Sequence, residues 1–140
     1  MSLACHGILG QGDGMPPALV LAQAGQQGKK DGFLQLDEVT HLGLNADMVS
    51  LSACQTGRGR LHNAEGVSGL ARAFLYTGSR SVLCSLWRVA DRETSDLMVD
   101  LYAGLKEGRT PSEALRAAQL KMIAAGEPPF AWAPFILMEK

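Results

Sequence analysis

The sequence predicts an α/β fold in which a mostly parallel sheet is covered by helices on both faces. Apolar runs of strand length alternate along the chain with longer segments whose apolar residues recur every three or four positions. The 140 residues suffice for one domain, and 46% hydrophobic with 19% charged residues is ordinary for a globular fold. Strands that are apolar throughout fit a sheet buried on both sides.

The predicted strands are short apolar runs bounded by glycine, proline or polar residues. The first of them ends at His6-Gly7, and Pro134 marks a bend or an edge in the last. We expect strands over 2–5, 18–22, 47–53, 80–87 and 130–138.

The predicted helices show helical periodicity together with start and stop signals. Asp37 can cap the first, Gly78 stops the second, and Thr110 with Glu113 forms a capping box for the last. We expect helices within 33–44 and over 64–78, 91–108 and 110–126.

Charge and cysteine content exclude several classes of protein. The formal net charge is −1 without a basic run, and no apolar stretch approaches the roughly 20 residues of a membrane span. The three cysteines, Cys5, Cys54 and Cys84, are an odd number at unpatterned spacing, which favours a reducing compartment. We therefore expect a cytoplasmic protein without nucleic-acid or membrane partners, and we see no signal peptide.

One cysteine and one histidine each follow a predicted strand. Cys54 comes after the strand ending at Ala53, before a polar, glycine-rich segment, and His6 follows the strand over 2–5. If these strands are parallel neighbours, both side chains lie over the edge where open α/β sheets bind ligands.

Such a pair suits nucleophilic catalysis. An imidazole can take the proton of a thiol, and the thiolate is the attacking species. Gly7 allows a carbonyl to approach its N–H, so the N–H groups of Gly7 and Cys54 are candidates for an oxyanion hole.

The alternative for each residue is a structural role. Free cysteine packs as a small hydrophobe, and we expect Cys5 and Cys84, inside apolar strands, to belong to the core. The position of Cys54 and His6 at two strand ends beside glycines favours the dyad. A zinc site would need paired ligand spacing that the sequence lacks, so we expect no metal and no cofactor.

Five segments, taken in order, resemble the CHAT family, caspase-like domains often attached to tetratricopeptide repeats. Each segment is weak by itself, whereas the ordered set is specific and spans essentially the whole chain after the first few residues. The segments are "CHG" at 5–7, "LSACQTGRG" at 51–59, "EGVSGLARAFLYTGSRSVLCSLWRVADRETSDLM" at 65–98, "EALRAAQ" at 113–119 and "WAPFIL" at 132–137.

The resemblance implies a caspase-like three-layer α/β/α sandwich and a cysteine peptidase site with His6 and Cys54 as the dyad. It also implies that residues 1–140 are a single partial domain, the C-terminal half. The opening letters "MSL" at 1–3 are by themselves typical of a start residue with added residues before the natural sequence. A tetratricopeptide-repeat region in the full-length chain and a bacterial cytoplasmic location are further implications.

Asp91 is the candidate substrate-binding residue. Related caspase-like peptidases often hold a basic substrate side chain with an acidic residue, and Asp91 follows the strand ending near Trp87. An N-cap for the helix over 92–108 is the favoured alternative for Asp91, and we assign Trp87 and Trp132 to packing.

Two functions remain open at this point. The first is a cysteine endopeptidase that cleaves a protein or peptide substrate. The second is a non-catalytic interaction module, or a fragment inactive without its N-terminal half. A sheet cut before its natural edge would expose strand edges, so we also expect self-association.

Overall fold

A computed structural model describes residues 2–3, 6–8, 18–21, 32–51 and 62–140. The strands are β1 (Ser2–Leu3), β2 (His6–Ile8), β3 (Ala18–Val20), β4 (Phe33–Gln35), β5 (Met48–Leu51), β6 (Ser81–Ser85) and β7 (Phe135–Glu139). The helices are α1 (Leu36–Thr40), α2 (His62–Tyr76), α3 (Asp91–Lys106), α4 (Pro111–Ala124) and α5 (Pro129–Trp132).

The main sheet has four strands in the order β1-β5-β6-β7. The first three run parallel, and β7 pairs antiparallel with β6. This arrangement confirms the predicted α/β class and its mostly parallel sheet, because β5 and β6 are connected through α2 on the outside of the sheet.

Side chains alternate between the two faces of the sheet along each strand, and both faces are buried. In β5, Val49 packs in a core with Phe74 of α2, whereas Met48 packs in a second core with Leu97 of α3. Successive side chains of a strand point to opposite faces, so one apolar run serves both cores. The result is three layers, with α1 and α2 on one face and α3, α4 and α5 on the other, as predicted.

Helix α4 begins at the capping box that the sequence predicts. The Glu113 N–H donates to Thr110 Oγ1 at 3.3 Å, and the Thr110 N–H donates to Glu113 Oε2 at 2.9 Å. Helices α3 and α4 pack closely where Gly104 faces Ala114, since a Cβ atom on Gly104 would lie 3.1 Å from the Ala114 Cβ.

A second sheet was not predicted. Strands β2, β3 and β4 form an antiparallel sheet in that order, so the apolar run at 18–22 is a strand over Ala18–Val20 but does not belong to the parallel sheet. Leu19 is fully buried in the core that contains Phe74, so this small sheet packs against the α2 side. The apolar pattern alone does not distinguish these two placements.

Two element boundaries differ from the sequence expectations. Helix α1 begins after Gln35 and not at Asp37. Residues 33–35 pair with β3 as strand β4, and the Gln35 N–H donates a hydrogen bond to Glu38 Oε2 at 2.9 Å. The segment 130–138 is a short helix followed by β7, since Pro128 and Pro129 initiate a helical turn that ends before Pro134.

Candidate active site

The carboxyl ends of β1, β5 and β6 meet at one edge of the main sheet, because these strands run parallel. Helix α3 begins at this edge, six residues after β6 ends at Ser85. β7 enters at the same edge, with Phe135 opposite Ser85. In open α/β sheets this edge is where ligands bind.

The register between β1 and β5 pairs the two strands that precede the candidate catalytic residues in the sequence. Leu3 lies opposite Leu51, and His6 and Cys54 each follow their strand residue by three positions. The predicted parallel pairing of these two strands is therefore confirmed. Cys54 and Cys5 themselves lie outside the described residues.

His6 occupies a strand and not the strand-to-loop junction that the sequence suggests. It opens β2, where it lies opposite Val20 of β3, and Gly7 lies opposite Leu19. The antiparallel pairing fixes the backbone of both residues just beyond β1. The sequence missed this strand because residues 6–8 carry no recognisable strand pattern, and pairing with β3 supplies the stabilisation.

Cys84 is a core residue, as predicted. Cys84 is 1% exposed and belongs to β6, where it packs among the apolar residues of the core that includes α2. Burial raises the pKa of the Cys84 thiol to about 11. A thiol held in this protonated form is a poor nucleophile.

Asp91 does not cap α3, so the favoured alternative for this residue is wrong. The N-cap is Ala90, whose backbone is extended with a φ of −64° and a ψ of 151°. Asp91 is the first residue of the helix, and its side chain is exposed. Its carboxylate still suits the positive end of the helix dipole. Asp91 thus lies at the carboxyl edge of the sheet, as the substrate-binding hypothesis requires.

Two tryptophans pack as expected, one of them at this edge. The Trp87 indole N–H donates to the Phe130 carbonyl at 2.9 Å, and the two ring centroids are 5.8 Å apart. The Trp132 indole N–H donates to the Glu127 carbonyl at 3.3 Å. The exposed ring of Phe130 therefore lies beside the end of β6.

Sequence reasoning missed two polar residues in the first turn of α3. Glu93 Oε2 and Thr94 Oγ1 are buried and have no hydrogen-bond partner within the described part of the chain. The sequence contains one signal for Glu93, its spacing from Leu97. Glu93 precedes the fully buried Leu97 by four residues, so the two residues share a face of the helix.

Metal binding and membrane insertion find no support in the described ranges. Among them, no three His, Cys, Asp or Glu side chains come together as ligands. Nor does any helix in those ranges combine the length and apolar character needed to cross a bilayer.

The comparison with known families identifies the class of domain. The profile of the CHAT domain matches residues 2–140, and the chain therefore belongs to the CHAT domain family, which supports a caspase-like domain.

Two relatives share one protein name. The chain is 32% identical over 109 residues to tetratricopeptide repeat protein 28 of Mus musculus, and 33% identical over 109 residues to the protein of that name from Homo sapiens. Each match covers 76% of this chain and 4% of the relative, so the chain spans a small fraction of those proteins.

Proposed function

We propose that this domain is a cysteine endopeptidase of the CHAT type, with His6 and Cys54 as its dyad. The single observation that carries the proposal is the parallel register of Leu3 with Leu51. Both residues of the proposed dyad follow that pair by three positions in the sequence, and the pair lies at the edge of the sheet where ligands bind. Membership of a caspase-like family supports the same assignment.

In the proposed mechanism, His6 accepts the proton of the Cys54 thiol, and the thiolate attacks the carbonyl carbon of the substrate peptide. The N–H groups of Gly7 and Cys54 stabilise the oxyanion. His6 returns the proton to the departing amine as the C–N bond breaks, which leaves a thioester on Cys54. Water, deprotonated by His6, then hydrolyses the thioester and restores the thiol.

The partner assignments are part of this proposal. The substrate is a protein or peptide, and Asp91 contributes to substrate binding from the first turn of α3. Both relatives are tetratricopeptide repeat proteins by name, which supports a tetratricopeptide-repeat region in the full-length protein. We also propose a cytoplasmic location and self-association through a terminal strand of the main sheet.

Thiol labelling tests the dyad directly. The native protein is treated with limiting iodoacetamide between about pH 5 and 9, and the modified cysteines are mapped by mass spectrometry. This range includes the pKa of a free cysteine thiol, about 8.5. We expect Cys54 to react first and at a lower pH than a free thiol. Cys84, with its pKa raised by burial to about 11, is the unreactive internal reference.

Two substitutions separate activation from general reactivity. His6→Ala is expected to remove the advantage of Cys54 at low pH, because the imidazole no longer stabilises the thiolate. His41→Ala is the matched control, because His41 is exposed at the C-terminal end of α1. A Cys54 that reacts like an ordinary thiol in all three proteins would exclude the dyad and favour the non-catalytic interaction module.

A further inference from the structure

A groove lies between α3 and the end of α4. It has a volume of about 300 Å³ and is lined by residues of both helices and of the turn that follows α4. The two helices run side by side in opposite directions, because Gly104 faces Ala114 near the turn between them and Asp100 contacts Lys121 farther along. The end of α4 therefore lies beside the first half of α3.

The groove combines a buried apolar floor with an exposed apolar wall. Met122 of α4 is 5% exposed and belongs to the core under both helices. Val99 of α3 lines the same groove and is 64% exposed. An exposed valine contributes little to a helix, since its helix propensity is lower than that of alanine or lysine. Val99 thus offers apolar surface that a partner can bury.

Negative charges outnumber positive charges around the groove. Three carboxylates line it, those of Asp96, Asp100 and Glu127. Lys121 is the only cation among the described residues of the lining, which leaves a net charge of −2, and its Nζ atom is already paired with Asp100 Oδ1 at 2.6 Å. Asp96 lies 4.0 Å from Arg92 in an exposed pair, where water screens the attraction. Glu127 has no ion pair with any residue that the structure describes.

Glu127 occupies a position that does not favour a carboxylate. Helix α4 ends in a Schellman motif, in which the Gly126 N–H donates to the Ile123 carbonyl and the Glu127 N–H donates to the Met122 carbonyl, each at 3.0 Å. The residue at the place of Glu127 commonly makes an apolar contact with the helix, and a negative charge there opposes the helix dipole. The stability of the helix end therefore does not account for this half-buried acid.

We propose that this groove binds a basic amphipathic helix of a partner protein. An apolar side chain of that helix packs against Val99 and Met122. Its lysine or arginine side chains pair with the carboxylates of Asp96 and Glu127. Asp96 and Asp100 are one helical turn apart, about 6 Å along α3, so basic residues four positions apart on the partner match that spacing. The valley between two packed helices accepts the side chains of a third helix.

A helix fits these observations better than a small polycation does. The carboxylates alone would suit a polyamine, but a polyamine has no bulky apolar group with which to cover Val99. An amphipathic helix presents apolar and basic side chains together on one surface. The groove contains neither His6 nor Cys54, so this inference is independent of the proposed peptidase activity.

Two synthetic peptides measure the recognition. Each is a fluorescently labelled, alanine-based helix of about 16 residues with leucine on one face, long enough to be helical in isolation. The lysine peptide carries lysines four positions apart beside the leucines, and the glutamine peptide carries glutamines at the same places. In fluorescence anisotropy titrations at low salt, wild-type protein is expected to bind the lysine peptide about tenfold more tightly. This preference is expected to decrease as salt is added.

Glu127→Gln is expected to weaken binding of the lysine peptide about fivefold and to leave binding of the glutamine peptide unchanged. The same variant is expected to raise the Tm of the free protein, because it removes a negative charge from the C-terminal end of α4. Val99→Lys, which places a cation in the groove, is expected to abolish binding of the lysine peptide.

Glu107→Gln is the matched control. Glu107 is also an acid at a helix C-terminus, that of α3, but it is paired with Arg109 at 3.1 Å and does not line the groove. This variant is expected to keep the wild-type affinity for both peptides. It is not expected to raise the Tm, since the loss of the ion pair offsets the loss of the negative charge.

Several outcomes would overturn the docking proposal. Equal affinity of wild-type protein for the two peptides would do so, as would a lysine-peptide affinity that survives in both Glu127→Gln and Val99→Lys. Spermidine that binds as tightly as the lysine peptide would show a site for small polycations and exclude the helical partner. None of these results bears on the dyad, which iodoacetamide labelling of Cys54 tests separately.

Discussion

Leu3 of β1 lies directly opposite Leu51 of β5 in a parallel pair. In the sequence, His6 and Cys54 each follow this pair by three positions, so the two residues proposed as the dyad come after neighbouring parallel strands. That relationship connects His6, which opens β2, with Cys54 in a chain where the two are 48 positions apart. A cysteine and a histidine this far apart in sequence can form a dyad because the fold can bring them together.

Self-association is expected to involve the terminal strands of the main sheet. β1 and β7 stand at the two ends of its strand order, and the outer side of a terminal strand can pair with another chain. Sedimentation velocity over a wide range of protein concentrations is expected to show a species larger than the monomer. A single monomeric species at every concentration would contradict this expectation.

Gly78 is expected to be indispensable for stability. It follows α2 with a φ of +114°, and a Cβ atom placed there would overlap with the carbonyl oxygen of Leu44. We expect Gly78→Ala to lower the free energy of unfolding by about 3 kcal/mol, combining backbone strain with a steric clash. Chemical denaturation measures this loss.

Gly126 supplies the control for that prediction. Its φ is also positive, at +81°, but a Cβ atom there would meet nothing within 4 Å. Gly126→Ala is expected to lower the free energy of unfolding by only about 1 kcal/mol, the strain of a left-handed backbone alone. Equal losses in the two variants would mean that contact with Leu44 contributes nothing.

The capping box of α4 is expected to make stability depend on pH. The Thr110 backbone N–H and then its hydroxyl, both 2.9 Å from Glu113 Oε2, lower the pKa of the Glu113 carboxyl from its ordinary value of 4.5. A pKa lowered by folding stabilises the native state above the unfolded value and loses this contribution as the pH falls through the folded value.

Glu113→Gln tests that dependence through unfolding curves at several pH values. The variant is expected to be less stable than wild type near neutral pH, and the difference is expected to shrink as the pH falls below 4.5. A difference that stays constant down to strongly acidic pH would show that the charge of Glu113 has no part in capping. The Thr110 cap itself remains in both proteins, so the comparison isolates the carboxylate.

Local signals in the sequence identified most elements of the main sheet and its helices. The apolar runs at β5 and β6 are strands, and the start of α4 at Thr110 follows from residues that lie within one turn of each other. Cys84 was assigned to the core because it lies within a largely apolar strand, and it is buried there. Each of these features depends on residues close in the chain, which is why pattern and spacing suffice.

The elements that were missed depend on partners far away in sequence. Residues 6–8 form β2 only through pairing with β3, and residues 33–35 are strand β4 because they also pair with β3. The N-cap of α3 at Ala90 was missed for a different reason, since Asp91 is a good capping residue by type but already lies inside the helix. Backbone geometry, which residue type does not fix, decides that boundary.

The sequence by itself determined the α/β class, the membership of the CHAT domain family and the pair of residues proposed as the dyad. Periodicity and ordered motifs depend only on the order of residues along the chain. Only the tertiary structure decided that Leu3 aligns with Leu51 and that Oε2 of Glu93 is buried without a hydrogen-bond partner among the described residues. Strand register and side-chain burial arise from contacts between distant segments, so local sequence patterns do not predict them.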